Sequence, residues 1–222
     1  MKILIAHNAY RHRGGEDLVV EAETEMLRAN GHEVIELRRD NKSMRGGKLS
    51  LAMDSLWSRS AYDELASLIV DRKPDVIHAH NTFPQLSPAI YWSAARADVP
   101  VVQTLHNFRL LCAQAMFLRN GKICEDCLGK LPWRGVLRKC YRDSLGESAA
   151  LVSMLALHRH LGTYVHKVTR YIALSEFSRR RFIDGGLPAE RITVKPNFVE
   201  IASAPEGVRA NGLYAHCLCT FE

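Results

Sequence analysis

A parallel α/β sheet with helices on both faces is predicted by three features of this 222-residue sequence. Short apolar runs recur at Ile3–Ala6, Asp75–His80, Pro100–Thr104 and Arg170–Leu174, each the length of a strand buried on both sides. Segments of helical period lie between them. Turn signals at Gly14-Gly15, Asn30-Gly31, Lys73-Pro74 and Gly185-Gly186 punctuate the alternation.

Strand one, Ile3-Leu4-Ile5-Ala6, leads through a polar loop and Gly14-Gly15 into a helix from Glu16 to Asn30. Leu18, Val19, Ala22, Met26 and Leu27 are its predicted apolar side, and Asn30-Gly31 stops it as a left-handed cap. His32 to Leu37 alternates as a strand, which Arg38-Arg39-Asp40 leaves, and Gly46-Gly47 marks a loop. Leu51 to Val70 has one helical period, closed by Lys73-Pro74. Asp75–His80 is the third strand, Pro88 to Ala97 a short helix, and Pro100–Thr104 the fourth strand. The rhythm then breaks. From 107 to 146 there is no period, and four cysteines and many basic residues form an irregular Cys-rich insertion. Such a stretch inside a compact domain is functional or stapled. Order returns with a helix from Glu147 to Lys167, a strand at Arg170–Leu174, a helix at Glu176–Asp184 and a last strand at Ile192–Val194.

With 47% hydrophobic and 24% charged residues, the composition is that of an ordinary globular protein. The N-terminus lacks a secretory pattern, and the longest apolar stretch, Ala149 to Leu157, is too short to span a bilayer. A cytoplasmic protein is expected. A net charge of +6 points to anionic partners. No nucleic-acid motif accompanies it, and the aromatics are too scattered for a stacking platform, so nucleic acid is not expected. The charge concentrates at Arg119–Arg142 and Lys167–Lys195. Those segments read either as solvated helix faces or as a patch for peripheral contact with an anionic membrane, at its inner face.

Ligands of open α/β sheets bind beyond the carboxyl ends of the strands. The sequence puts His7 to Gly15, His80-Asn81, His106-Asn107 and Ser175-Glu176 there. At Gly14-Gly15 a helix N-terminus offers unpaired N–H groups and a positive dipole end to an anion, although an ordinary strand-to-helix turn reads the same way. Neither G-x-G-x-x-G nor G-K-[ST] is present. His78 and His80 point the same way on a strand, as metal ligands or, more simply, as packed side chains. His158, His160 and His166 do not build one helix face and read as surface residues. Cys124 and Cys127 form a C-x-x-C, with Cys112 and Cys140 at similar distances on either side. Four thiolates would hold a tetrahedral zinc, structural because no ligand position stays open; buried free thiols or a disulfide pair are the alternatives.

The runs DVIHAHN (Asp75 to Asn81), VVQTLHNFRLLC (Val101 to Cys112) and YIALSEFSRRRFIDGGLPAERITVKPNFV (Tyr171 to Val199), with Gly14-Gly15-Glu16, resemble the N-terminal domain of family-4 retaining glycosyltransferases. The resemblance runs over residues 1–199 and implies one Rossmann-like half of a GT-B enzyme, the acceptor side. It implies sugar transfer from a nucleotide diphosphate sugar to a glycan or lipid-linked acceptor, with retention and without a required metal. His106 matches the family's active-site histidine, and Gly14 and Gly15 the loop that approaches the donor diphosphate. Glu16, His80, Asn81, Asn107, Ser175 and Glu176 are the expected substrate contacts, and the Cys-rich insertion lies where acceptors bind. The resemblance also calls for a second domain. Residues 200–222 instead read as a hinge remnant and an aberrant tail: Ala210 to Glu222 departs from the glycine-rich continuation expected there. A truncated or frame-shifted reading, inactive alone, is therefore expected. The competing expectation is a stand-alone α/β binding module that pairs with a separate donor-domain chain.

Overall fold

A computed structural model describes residues 1–10, 13–40 and 47–198. The readings placed on Gly46, Val199 and the 200–222 tail lie outside these residues. In chain order the elements are β1 (Lys2–Ala9), α1 (Gly15–Ala29), β2 (Glu33–Asp40), α2 (Lys48–Leu56), α3 (Arg59–Arg72), β3 (Val76–Ala79), α4 (Ala89–Arg96) and β4 (Val101–Leu105). A small hairpin follows, β5 (Leu118–Arg119) with β6 (Lys122–Ile123), then α5 (Arg134–Leu137), α6 (Leu145–His160), α7 (Thr163–His166), β7 (Arg170–Ala173), α8 (Glu176–Asp184) and β8 (Ile192–Val194). The main sheet has six parallel strands in the order β2-β1-β3-β4-β7-β8.

Both faces of β1 are covered, as an all-parallel sheet requires. Leu4 and Ala6 face one layer with Ile77, Leu65, Ile90 and Tyr91, whereas Ile3 and Ile5 pack with Val20, Val34 and Val76 on the other. Each fully buried Leu or Ile contributes about 1.5–3 kcal/mol, and the largest cluster sits beneath the centre of the sheet.

Four expectations are corrected. The helix expected over Leu51–Val70 is two, because Ser58 leaves the helix to cap α3, its hydroxyl accepting the Ala61 N–H at 3.3 Å. The one expected over Glu147–Lys167 is also two, separated at Gly162, whose φ of +64° breaks the path between α6 and α7. His158 is buried rather than on the surface: its ring nitrogens pair with Leu56 O at 2.8 Å and Thr163 Oγ1 at 3.0 Å, which removes the cost of burial. His160 and His166 are exposed. Finally, α1 buries Asp17, Val20, Glu23 and Thr24, while Leu18 is 51% exposed. Polar residues face inward on this helix because they have partners at the carboxyl edge of the sheet.

Candidate functional site

Three neighbouring strands deliver histidines to that edge: His7 on β1, His78 and His80 on and just after β3, and His106 just after β4. His78 and His80 share a face, with ring centroids 4.2 Å apart; His80 and His106 stack at 5.2 Å, and His7 meets His80 edge-on at 6.1 Å. His78 Nε2 pairs with Thr104 Oγ1 at 2.8 Å, and His7 Nε2 with Asp17 Oδ1 at 2.8 Å. His80 Nδ1 lies 2.9 Å from His106 Nε2.

Behind His80 stands Glu23, each of them 2% exposed, with His80 Nε2 3.4 Å from Glu23 Oε2. Neither of those two atoms has a hydrogen-bond partner among the described residues. The other Glu23 oxygen takes the ammonium of Lys195, just beyond β8. A carboxylate facing Nε2 favours the proton there, which makes His80 Nδ1 the acceptor of an N–H from His106 Nε2. The remaining nitrogen of His106, Nδ1, is then an acceptor. Burial holds all four rings neutral at pH 7: it lowers His106 to about 3 and His78 to about 4, and lowers His7 and His80 as well. Each cationic ring would add to this by opposing the charging of its neighbours.

The loop after β1 is fixed by Asp17, which accepts N–H bonds from Gly14 at 2.8 Å and Tyr10 at 3.4 Å besides holding His7. Gly14 is the N-cap of α1 and Gly15 its first residue. A Cβ on Gly14 would meet nothing nearer than Asp17 Oδ2 at 3.9 Å, so crowding within the chain does not demand glycine there. Next to it the Tyr10 hydroxyl donates to Glu16 at 2.8 Å. Glu16 is half-buried, yet burial pushes its carboxyl up to about 7, against the opposing effects of the Tyr10 bond and the Arg109 charge.

That shift has a measurable consequence. A carboxyl raised from 4.5 to about 7 on folding keeps its proton in the native state across that window, so its contribution to stability is full near the low end and lost as pH rises through 7. Glu16→Gln is expected to remove this slope, worth up to about 1.4 kcal/mol per pH unit before allowance for solvent screening. Urea unfolding of both proteins across the window checks it; parallel curves would mean that Glu16 titrates as an ordinary surface carboxyl.

Glu16, His80, Asn81, His106 and Asn107 line one cavity of about 40 Å³, together with Arg109. Asn81 also ties loops together, donating to Asn8 O at 2.9 Å and accepting the Phe83 N–H at 3.1 Å, while Asn107 Oδ1 accepts the Arg109 N–H at 3.0 Å. Ser175 and Glu176 do not line that cavity. Ser175 caps α8, accepting the Ser178 N–H at 3.1 Å, and Glu176 is exposed, 3.9 Å from Arg179.

Sequence reasoning missed Arg109, Glu23 and Lys195, and had Tyr10 only within the loop His7 to Gly15. Arg109 stacks over Tyr141, its Cζ 5.1 Å from the ring centroid, and its Nη1 is buried without a hydrogen-bond partner among the described residues. Glu23 had a signal: it shares a helix face with Val20 and Glu16, a carboxylate within the inward stripe. Among the described residues, the His, Cys, Asp and Glu ligand atoms that lie within 4.8 Å of one another are those of Glu23, His78 and His80. Lys195 already neutralises Glu23 there. Cys112 is buried, and Cys124, Cys127 and Cys140 are half-buried free thiols.

The model of Glycosyltransferase Family 4 matches residues 13–203. This chain belongs to glycosyltransferase family 4. The parallel six-strand sheet with helices on both faces is the Rossmann-like fold of one GT-B half. The chain is similar in fold to the apo form of lipopolysaccharide outer core galactosyltransferase WaaB, with a TM-score of 0.52 at 11% identity over 94% of this chain and 50% of that one. It is also similar to Anabaena Alr3699/HepE in complex with UDP-glucose (TM-score 0.44, 15% identity, 89% and 44% covered). MurG of Acinetobacter baumannii is a third (TM-score 0.43, 10% identity, 91% and 47% covered). The family-4 chain thus spans about half the length of these structures. No curated protein matches it in sequence. No helix among its described residues is long and apolar enough to cross a membrane.

Proposed function

We propose that this chain is the acceptor-side half of a retaining glycosyltransferase, which moves a sugar from a nucleotide diphosphate sugar to a glycan or lipid-linked acceptor without a catalytic metal. The observation that carries the proposal is the neutral His106 in one cavity with Glu16, Asn107 and Arg109, at the sheet edge where family-4 enzymes do their chemistry. In this reading His106 orients the transferred sugar through Nδ1, which Glu23 and His80 keep unprotonated. Glu16 accepts from an acceptor hydroxyl, and Arg109 faces an acidic or phosphorylated part of the acceptor. Gly14 and Gly15 leave room for the donor diphosphate beside the α1 N-terminus. On this reading a second GT-B domain binds the donor, and the +6 charge supports peripheral contact with an anionic membrane on the cytoplasmic side, where a lipid-linked acceptor would be met.

The test supplies the missing half. The chain, joined to or mixed with a family-4 donor domain from the same locus, is assayed against a panel of nucleotide sugars and acceptors, with the product anomer read by NMR. The expected result is transfer with the donor's anomeric configuration kept. An inverted product would sink retention. Acceptor binding by this chain without turnover in any pairing would favour the binding-module reading instead.

A further inference from the structure

We propose that the groove between α3, α4 and the end of α7 is a binding site for an acidic saccharide. It shares no residue with the His106 cavity, and binding alone tests it, so this inference does not depend on the reading of the sugar-transfer site.

The groove follows from two helix faces. Helix α3 turns Ala61, Leu65 and Ile69 inward and leaves Arg59, Tyr62 and Asp63, at helical spacing, on one outer side. Helix α4 buries Ala89, Ile90, Tyr91, Ser93 and Ala94 and presents Trp92, Ala95 and Arg96 in the same pattern. The Ser93 hydroxyl donates to Tyr62 O at 2.9 Å and ties the two helices together. At Trp57 the chain leaves α2 in an extended conformation, with its N–H on Met53 O at 3.0 Å, so that Ser58 can cap α3. Trp57 and Lys167, the residue after α7, complete the lining. The space enclosed is about 470 Å³, within the about 300–1,000 Å³ of small-molecule sites.

Three aromatic rings stand in this groove, and the surrounding fold holds them. Trp57 stacks on the buried His158, with centroids 5.9 Å apart and an angle of 9°. It lies 6.2 Å from Tyr62 and 6.1 Å from Trp92, whose Nε1 donates to Thr163 Oγ1 at 3.0 Å. Trp57 still keeps 38% of its surface in water. Because Trp57 and Trp92 meet at 50°, they form a trough rather than the parallel slot that a flat nucleobase fills. A puckered pyranose suits a trough. Its positively polarised C–H groups meet the negative faces of the rings, and its hydroxyls stay at the rim.

Charge decides which saccharide. Arg59, Arg96 and Lys167 surround the rings, against one carboxylate, Asp63. Arg59 stands 3.6 Å from Asp63, but with side chains 89% and 62% exposed the pair binds weakly and can open. Arg96 and Lys167 are in no ion pair with a described residue, and the Lys167 ammonium rests 4.6 Å from the Trp92 ring centroid. These cations offer charge-assisted hydrogen bonds to the carboxylate of a uronic acid. Asp63 accepts from a sugar hydroxyl and opposes a ligand as densely charged as a nucleoside diphosphate.

The test uses the full chain and trigalacturonic acid, with maltotriose as the neutral counterpart and UDP as the nucleotide. Two of the three tryptophans line the groove, so their emission reports binding there. Trigalacturonate is expected to change the emission saturably, in Trp133→Phe as in the wild type, and less tightly as salt rises. It should bind about tenfold more tightly than maltotriose, the worth of one charge-assisted contact. Arg96→Glu, at an exposed position, should weaken it by about tenfold or more without moving the melting temperature. Trp57→Ala should abolish binding; if that variant fails to fold, because Trp57 backs His158, the Arg96→Glu comparison still decides. Maltotriose binding equally well, UDP binding more tightly, unchanged affinity in Arg96→Glu, or no saturation at millimolar trigalacturonate would each overturn the proposal.

Discussion

Replacing His106 with alanine is expected to lower kcat of the complete glycosyltransferase about 100- to 1,000-fold, with the KM for donor changed far less. The reason is the ring's charge state. Burial holds His106 near 3, so at neutral pH the ring is uncharged, and in the proposed role it would serve the reacting sugar by hydrogen bonding rather than as a proton reservoir. Its protonation therefore puts no limb on the pH–rate profile near neutrality; the titrating group of the cavity there is Glu16, at about 7. Glu23→Gln should cost less, because an amide at that place can donate or accept and no longer dictates which nitrogen of His80 carries the proton. Steady-state kinetics of the three proteins separates these roles. Equal losses in KM and none in kcat for His106→Ala would show that the ring merely shapes the pocket.

Acid is expected to unfold the domain early. The histidines of the cluster have folded values below the ordinary 6.5, down to about 4 for His78 and about 3 for His106. Below 6.5 the unfolded chain takes up protons that the folded one refuses, so stability is full above that value and falls as pH drops toward the folded values. Each such ring costs about 1.4 kcal/mol per pH unit. Two rings over about two units take on the order of 5 kcal/mol, against a total of about 5–15 kcal/mol for a typical domain. Urea midpoints measured downward from neutrality should fall steeply, and His78→Gln, with its amide positioned for the Thr104 hydroxyl, should flatten the fall. A level profile over the first two units below 6.5 would refute the neutral cluster.

Much of this architecture is legible in the amino-acid order, because period and punctuation report backbone geometry directly. The apolar runs at Ile3–Ala6 and Asp75–His80 lie on central strands, and His106 and Glu16 stand out by their place after a strand and at a helix start. What escapes is what depends on partners far along the chain. His158 reads as surface until Leu56 and Thr163 supply its hydrogen bonds, and the part Glu23 plays shows only when the fold brings His80 and Lys195 to it. Arg109 lies in a segment with no period, where sequence pattern carries no direction.

The strand order β2-β1-β3-β4-β7-β8 bears on how the protein is made. As the chain leaves the ribosome, β1 emerges first and β2 joins one side of it; β3, β4, β7 and β8 then add to the other side in the order of their synthesis. Every newcomer finds an open edge of a strand already made, and no strand has to be threaded between two that are already paired. The long waits fall before β3 and before β7, whose pairings join Ile3 to Val76 and Val102 to Arg170. During the second wait the growing sheet shows the bare edge of β4, so that pause is when a nascent chain is most exposed to aggregation.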